Sequence, residues 1–172
     1  GGLDSTNRTH FILTLIEKYK LKNLKYSIII GNGYKERKKL IKLIVQMKKE
    51  HFDIELKENM EFLSKIFHES DFAITSNGRT VFELGSLHIP MIVIPVNQRE
   101  KTHTFVQKYD VGYTIQLENE SKTHNFLNAF NNMLEYEHRK KFQNNLKQIN
   151  LLYGVDRVVQ KINSSYDIRN KK

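Results

Sequence analysis

Two short polar segments, separated by an apolar stretch, carry the residue types that best suit the binding of an anion. They are Ser76-Asn77-Gly78-Arg79-Thr80 and Asn97-Gln98-Arg99-Glu100-Lys101-Thr102-His103. Each follows a predicted strand and opens a predicted helix, where unpaired backbone N–H groups attract negative charge. Gly78 lets the backbone approach a ligand closely, and the guanidinium fork of Arg79 fits phosphate oxygens in pairs. The pattern predicts an anion-binding crevice at one edge of a sheet.

Glu83 is the candidate for binding a neutral, hydroxyl-bearing part of the ligand. It lies in a predicted helix among apolar residues that spread around most of the circumference, namely Val81, Phe82, Leu84 and Leu87. A carboxylate in such a helix is predicted to be buried and to need a partner. A ribose diol supplies two hydroxyl donors, whereas an i,i+4 ion pair with Arg79 is the purely structural alternative. We favour the ribose.

The segment after Pro95 offers further polar groups at the predicted carboxyl end of a central strand. Asn97 and Gln98 have amide side chains that can bind an amide-bearing sugar or a base. Glu100 and His103 lie three residues apart on a predicted helix face, so their side chains can meet. Such a pair is either a weak catalytic candidate or, more commonly, a surface hydrogen bond.

The opening loop, Gly1 to Thr9, is a third candidate. Its paired glycines permit close approach of a ligand, and its polar residues are good helix N-caps, namely Asp4, Ser5, Thr6 and Asn7. The loop either helps to hold a phosphate or sugar, or is a tag remnant followed by a capped helix. Because a glycine turn in a βα unit normally follows a strand, we expect the natural protein to have sequence before Gly1.

The elements that position these residues alternate between short apolar strands and amphipathic helices. This alternation predicts an α/β fold, a Rossmann-like parallel sheet with helices on both faces, followed by C-terminal helices. The predicted strands are 26–30, 52–56, 72–75, 91–94 and 113–117, and the predicted helices are 9–20, 36–50, 59–69, 78–87, 100–108, 122–134, 137–150 and 156–162. We expect a Rossmann-like domain over residues 1–120, helices over 121–166 that pack on it, and a frayed tail over 167–172.

The composition limits the classes of function. The chain has 172 residues, with 28 Lys and Arg against 19 Asp and Glu, a formal charge of +9 and no cysteine. The lack of cysteine excludes disulfides and thiolate metal sites. The lysines are scattered through the predicted helices, which indicates solvated helix faces and disfavours a nucleic-acid partner.

Several motifs are absent from the sequence. A dinucleotide fingerprint starting at Gly31 and Gly33 would need a third glycine where Glu36 stands, so we expect no nicotinamide and no other cofactor. The histidines lack metal-ligand spacing, so we expect no metal site. There is no signal peptide and no apolar run near the roughly twenty residues that span a bilayer, so a cytoplasmic protein is expected.

The chain resembles a known group of enzymes over residues 1–117. Gly1-Gly2-Leu3-Asp4 and Asn7-Arg8-Thr9 resemble the GGxD…NLT opening of the second domain in the UDP-sugar hydrolase of pseudaminic acid biosynthesis and its spore-coat polysaccharide relatives. Residues 76–90 resemble that family's glycine-rich turn and Glu-bearing helix with a following proline, although Asn77 makes the turn less rich in glycine. Asn97-Gln98-Arg99 resembles its later Asn-Gln segment. The layout is more distantly similar to the C-terminal half of the MurG-type glycosyltransferases.

The resemblance implies a GT-B architecture, in which two Rossmann-like halves hold a nucleotide-sugar in the cleft between them. This chain would be the C-terminal half, which grips the nucleotide of a UDP-sugar. The N-terminal half, which is missing from this sequence, would supply the catalytic histidine. Carried over by position, Glu83 would hold the ribose. The implied nucleotide-binding residues are Gly2, Asp4, Asn77, Gly78, Arg79, Thr80 and Glu83, and the implied sugar-binding residues are Asn97, Gln98 and Arg99.

The reaction implied by the resemblance is hydrolysis of a UDP-activated amino sugar in surface-glycan or nonulosonic-acid biosynthesis. A glycosyltransferase of the same fold is the nearest alternative, because it differs only in using an acceptor in place of water. Two alternatives from other classes remain open: a basic α/β module that binds nucleic acid, and a non-catalytic α/β domain in which Glu83 forms a salt bridge.

Overall fold

The computed structural model of the chain describes residues 4–117 and 123–170, with side chains through Ser164. The chain divides into two compact units. Unit 1 covers Gly1–Ile66 and unit 2 covers Phe67–Lys172. The sequence-based division at residue 120 stays a prediction. No helix within the described ranges is long and apolar enough to cross a membrane.

Unit 1 is built on a two-stranded parallel sheet. Its elements are α1 (Arg8–Lys18), β1 (Lys25–Ile30), α2 (Arg37–Lys49) and β2 (Asp53–Glu58), and α3 (Ser64–His68) runs across the boundary with unit 2. The two strands pair along their whole length, from Lys25 opposite Asp53 to Ile30 opposite Glu58. Helix α2 packs on β2 and on α1.

Unit 2 contains a three-stranded parallel sheet in the order β3-β4-β5. Its elements are β3 (Ala73–Thr75), α4 (Thr80–Ser86), β4 (Met91–Val93), α5 (Gln98–Lys101), α6 (Phe105–Tyr109), β5 (Gly112–Thr114), α7 (Thr123–Leu134), α8 (Tyr136–Lys147) and α9 (Gly154–Asn170). Strand β4 is central, as the sequence predicted, and its three side chains are fully buried. Parallel sheets covered by helices, with further helices at the C-terminus, confirm the predicted α/β fold class.

The longer helices form where the sequence repeats apolar residues with a helical period. Helix α2 buries Leu40, Leu43, Ile44 and Met47. Helix α7 buries Phe126, Ala129, Phe130 and Met133. Both sets have the i, i+3, i+4, i+7 spacing that places side chains on one face of a helix. Each unit therefore has its own apolar core, and the helix bounds follow the predicted ones closely in these two cases.

Three predicted helices differ from the structure. The helix predicted for 59–69 is only Ser64–His68, and Asn59, where the predicted helix begins, instead follows β2 with a left-handed φ of 54°. The helix predicted for 100–108 is two short helices, α5 and α6, because the chain leaves helical geometry around His103 and Thr104. Helix α9 is longer than predicted and continues to Asn170.

Candidate ligand-binding loops of unit 2

The two polar segments identified in the sequence lie at the same edge of the unit 2 sheet. Strand β3 pairs in parallel with β4, and Thr75 lies opposite Val93 at the carboxyl ends of the two strands. We call residues 76–80 the first loop and residues 96–103 the second loop. Because parallel neighbouring strands end at the same edge, the two loops meet there, which is where open α/β sheets bind their ligands.

Asn77 joins the first loop to the second. Its side chain is 2% exposed, and Nδ2 donates to the backbone oxygens of Glu100, at 2.9 Å, and His103, at 2.8 Å. Its backbone N–H donates to Glu100 Oε2 at 3.1 Å. The donors of the Asn77 side chain are therefore used inside the protein. Its implied role as a nucleotide ligand stays a prediction.

Glu100 is the second member of this connection. Its Oε2 accepts the N–H of Asn77 and also, at 3.0 Å, the N–H of Val96. The N–H of Glu100 is itself bonded to the Oδ1 of Asn97, which is the N-cap of α5. One carboxylate oxygen therefore satisfies backbone donors from both loops, which holds the loops together at the sheet edge.

His103 completes the connection from the end of the second loop. Its Nδ1 lies 2.7 Å from the backbone oxygen of Asn77. Because a carbonyl oxygen only accepts, Nδ1 is the donor in this hydrogen bond. We refer to Asn77, Val96, Glu100 and His103 as the Asn77 network.

The prediction that the side chains of Glu100 and His103 contact each other is wrong. Within the described part of the chain, no hydrogen bond joins the carboxylate to the imidazole ring; each group instead bonds to Asn77. The physical reason is that α5 ends at Lys101, so the two residues do not share a helix face. The catalytic role considered for the pair stays a prediction without this contact.

Glu83 is exposed, so its predicted burial is wrong. Helix α4 buries Val81, Leu84 and Gly85 on the face toward the sheet, whereas Phe82 is 50% exposed next to Glu83. Among the described residues, no ion pair within 4.0 Å joins Glu83 to Arg79. The ion pair with Arg79, which was the alternative to ligand binding, is therefore not formed. The carboxylate of Glu83 faces solvent.

The other predicted ligand residues of unit 2 lie on the two loops. Arg79, Gln98 and Arg99 are exposed, and Gly78 and Thr80 are partly exposed beside the start of α4. Two cationic side chains at this sheet edge suit an anionic ligand. Within residues 4–117 and 123–170, no group of three or more His, Cys, Asp or Glu side chains could hold a metal ion.

In the candidate loop of unit 1, the carboxylate of Asp4 accepts hydrogen bonds from the first residues of α1. Asp4 Oδ1 accepts the N–H of Arg8, and Asp4 Oδ2 accepts the N–H of Thr9, both at 2.8 Å. The first two donors of α1 are thus bonded to Asp4, whereas the N-cap residue is Asn7, whose side chain makes no cap hydrogen bond. A nucleotide-binding role for Asp4 stays a prediction, and Gly2 lies outside the described residues.

Tyr34 is a buried polar residue beside this loop that sequence reasoning missed. Its hydroxyl donates to Oδ1 of Asn7, and the residue is 7% exposed. Burial, followed by the negative charges of Asp4 and Glu36, raises the pKa of Tyr34 to about 12 from a usual 10.0. The phenol is therefore neutral in the folded chain at any ordinary pH.

The free energy of unfolding should fall in alkaline solution because of Tyr34. The unfolded chain loses this proton near pH 10 and the folded chain only near pH 12, so stability is unaffected below pH 10 and falls between these values. We expect the stability difference between the wild-type chain and Tyr34→Phe to shift against the wild type across this window. Denaturant unfolding at several pH values measures it. A pH-independent difference would contradict the raised pKa.

The Asn77 network joins residues that are far apart in the sequence, so the sequence contains only a weak signal for it. The segment Asn77-Gly78-Arg79 is less rich in glycine than the turn that the resemblance implies. A larger polar residue at a tight turn indicates that its side chain has partners nearby. Those partners lie 23 and 26 residues further along the chain, so no local pattern could identify them.

The structure is similar to WaaG, described as a glycosyltransferase involved in lipopolysaccharide biosynthesis. The match covers 92% of this chain and 43% of WaaG, with a TM-score of 0.61 and 14% sequence identity. This chain thus spans less than half the length of that protein. No protein-family model matches the sequence. No curated protein matches it either. At this identity the likeness shows the fold alone, and the chain has an α/β fold that resembles part of the GT-B fold.

Proposed function

We propose that the chain is the nucleotide-sugar-binding half of a GT-B enzyme. The observation that carries the proposal is the fold likeness, in which 92% of the chain corresponds to 43% of a glycosyltransferase. A GT-B enzyme consists of two such halves, so a chain of this extent would correspond to one of them. The motif resemblance to the C-terminal half supports the same assignment independently of the fold.

The proposed contacts follow the chemistry of the loops. Arg79 and the backbone N–H groups of Gly78 and Thr80 would bind the diphosphate, because a guanidinium fork and amide donors both suit phosphate oxygens. Glu83 is exposed and has no ion pair with Arg79 in the described structure, so it is available to accept hydrogen bonds from a ribose diol. The proposed sugar-binding residues are Asn97, Gln98 and Arg99. Gly2 and Asp4 remain in the proposed nucleotide set.

For the whole protein, we propose hydrolysis of a UDP-activated amino sugar. Water attacks the anomeric carbon, the bond from that carbon to the diphosphate oxygen breaks, and UDP leaves with the electron pair. Positively charged groups near the diphosphate stabilise the charge that develops on the leaving group. The second half of the enzyme would supply the group that takes the proton from water.

Glycosyl transfer is the second candidate, because the matched structure is described as a glycosyltransferase. The two reactions share the donor and the leaving group, and they differ only in whether water or an acceptor hydroxyl attacks. Product analysis with the whole protein distinguishes them. Free sugar that forms equally with and without an acceptor glycan supports hydrolysis, whereas a glycosylated product supports transfer.

The binding proposal is tested on this chain by titration calorimetry with UDP, and with GDP and CDP for comparison. The wild-type chain should bind at least one nucleoside diphosphate. The Glu83→Ala variant should bind it at least about tenfold more weakly, since a hydrogen bond to a charged group contributes about 1.5–3 kcal/mol and about 1.4 kcal/mol is tenfold.

Glu137→Ala is the matched control for this titration. Like Glu83, Glu137 is an exposed glutamate in the first turn of a helix of unit 2. Removing its charge should leave the affinity unchanged, which separates a specific contact from a general effect of net charge. Absence of binding to every nucleotide would contradict the proposed function. Equal losses of affinity in both variants would mean that Glu83 does not contact the nucleotide.

A further inference from the structure

Glu100 has one oxygen that is fixed by the protein and one that is not. Oε2 accepts the N–H groups of Asn77, at 3.1 Å, and Val96, at 3.0 Å. The half-buried side chain cannot rotate without breaking both bonds, so its position is determined. Within the described part of the chain, Oε1 makes no hydrogen bond and no ion pair.

The unbonded oxygen lies beside Gly78, which has no side chain. A Cβ atom built on Gly78 would lie 3.6 Å from Oε1 of Glu100 and 3.5 Å from Oγ of Ser76. We call these three residues the Gly78 cradle. Because Gly78 has no methyl group at this position, a ligand can approach the carboxylate oxygen and the hydroxyl from the side of Gly78.

The chemistry of the cradle selects a hydrogen-bond donor. An ionised carboxylate only accepts hydrogen bonds, and its charge repels phosphate oxygens. A group bound here therefore has a hydroxyl or an N–H. In a nucleotide-sugar, the base, the ribose and the transferred sugar all carry such groups. The second loop, which bears Glu100, also bears the proposed sugar-binding residues Asn97, Gln98 and Arg99.

We infer that Oε1 of Glu100 accepts a hydrogen bond from a hydroxyl or acylamino N–H of the sugar moiety, in the Gly78 cradle. This inference rests on the proposed function and adds a specificity-determining residue to it. The hydrogen bonds of Oε2 make the contact selective. They hold Oε1 in one position, so that only a sugar with a donor at the matching position satisfies it.

Two variants test the inference while leaving the network intact. In Glu100→Gln, the amide oxygen can take the place of Oε2 and keep both backbone hydrogen bonds, while the NH2 group replaces Oε1 with a donor. In Gly78→Ala, the new methyl fills the cradle at ordinary contact distances of 3.5 and 3.6 Å. The backbone of Gly78 is not in the left-handed region, so alanine is tolerated there.

The expected result is a loss of affinity for the ligand that carries the sugar, relative to UDP. The probes are UDP and UDP-N-acetylglucosamine, titrated into the chain by calorimetry. Each variant should lower the affinity for UDP-N-acetylglucosamine relative to the affinity for UDP by about tenfold, and Glu100→Gln, which lies outside the proposed diphosphate contacts, should bind UDP with unchanged affinity. Thermal unfolding of each variant within a few degrees of the wild type establishes that the fold is kept. Glu137→Gln, an exposed glutamate on α8, should leave both affinities unchanged.

The other outcomes separate this inference from the proposed function. If both variants weaken UDP and the sugar nucleotide equally, Glu100 acts only by holding the loops and the inference is overturned. Unchanged affinities for both ligands overturn it as well. If the wild-type chain binds UDP no less tightly than UDP-N-acetylglucosamine and the variants do not alter this ratio, the inference fails and the proposed function stands. If the wild-type chain binds neither ligand, both fail.

Discussion

Replacing Gly112 by alanine is expected to lower the free energy of unfolding by about 3 kcal/mol, the upper end of the usual cost of overpacking. Gly112 begins β5 with a φ of 157°, and a Cβ there would lie 1.9 Å from the backbone oxygen of Met91. No side chain can move aside to relieve this contact, because the oxygen belongs to the backbone of β4. Strand β5 would have to move away from β4, and the pairing of Gly112 with Met91 would be lost.

Urea unfolding followed by circular dichroism measures this effect. Gly154→Ala is the matched control, since the nearest neighbour of a Cβ at Gly154 among the described residues would be Nη2 of Arg157, at 3.8 Å. Alanine at a compatible site changes stability by only about 0.4–1 kcal/mol, usually favourably. An unfolding midpoint of Gly112→Ala equal to that of the wild type would mean that β5 does not approach β4 so closely.

The Asn77→Ala variant is expected to lose about 1–3 kcal/mol of unfolding free energy. Asn77 is 2% exposed, and its Nδ2 donates to backbone oxygens of Glu100 and His103. Alanine removes a donor from each oxygen. The oxygen of Glu100 keeps the N–H of His103, whereas the oxygen of His103 loses the donor from Asn77, and a buried polar group left without a partner costs about 1–3 kcal/mol. Asn77→Asp should lose more, because it adds a negative charge among acceptor oxygens and near the carboxylate of Glu100.

The control for this pair is Asn145→Ala. Asn145 also donates from Nδ2 to a backbone oxygen, that of Asp110 at 2.7 Å, but in an exposed setting where water can replace it. We expect a loss of about 1 kcal/mol or less there. If Asn77→Ala keeps full stability and loses only nucleotide affinity, Asn77 is a ligand, as the resemblance implies, and its structural role is minor.

The sequence predicted the helices and strands best where apolar residues repeat with the period of a helix or form a continuous run. Helix α2 was predicted as 36–50 and is Arg37–Lys49, because four apolar residues mark its buried face. The apolar run that became β4 was predicted as a central strand, since only a strand covered on both sides is apolar throughout. The polar segments after β3 and β4 were predicted to meet, and they do.

The short elements and the exposure of single side chains were predicted less well. A five-residue helix such as α3 has too few residues to show a period. Glu83 was predicted to be buried because apolar residues surround it in sequence. In the structure α4 packs on the sheet through one face only, so Glu83 and Phe82 stay exposed. How much of a helix is covered depends on its neighbours, which the helix sequence does not contain.

The sequence alone determined the order of the strands and helices, the parallel α/β class and the position of two polar loops at one edge of a sheet. These follow from backbone preferences and hydrophobic period, which act between residues close in the chain. Only the tertiary structure decided which polar groups of those loops are already bonded. Asn77 and Glu100 are 23 residues apart and meet because β3 and β4 pair. That pairing commits Asn77 to the protein and leaves Glu83 and one oxygen of Glu100 available to a ligand.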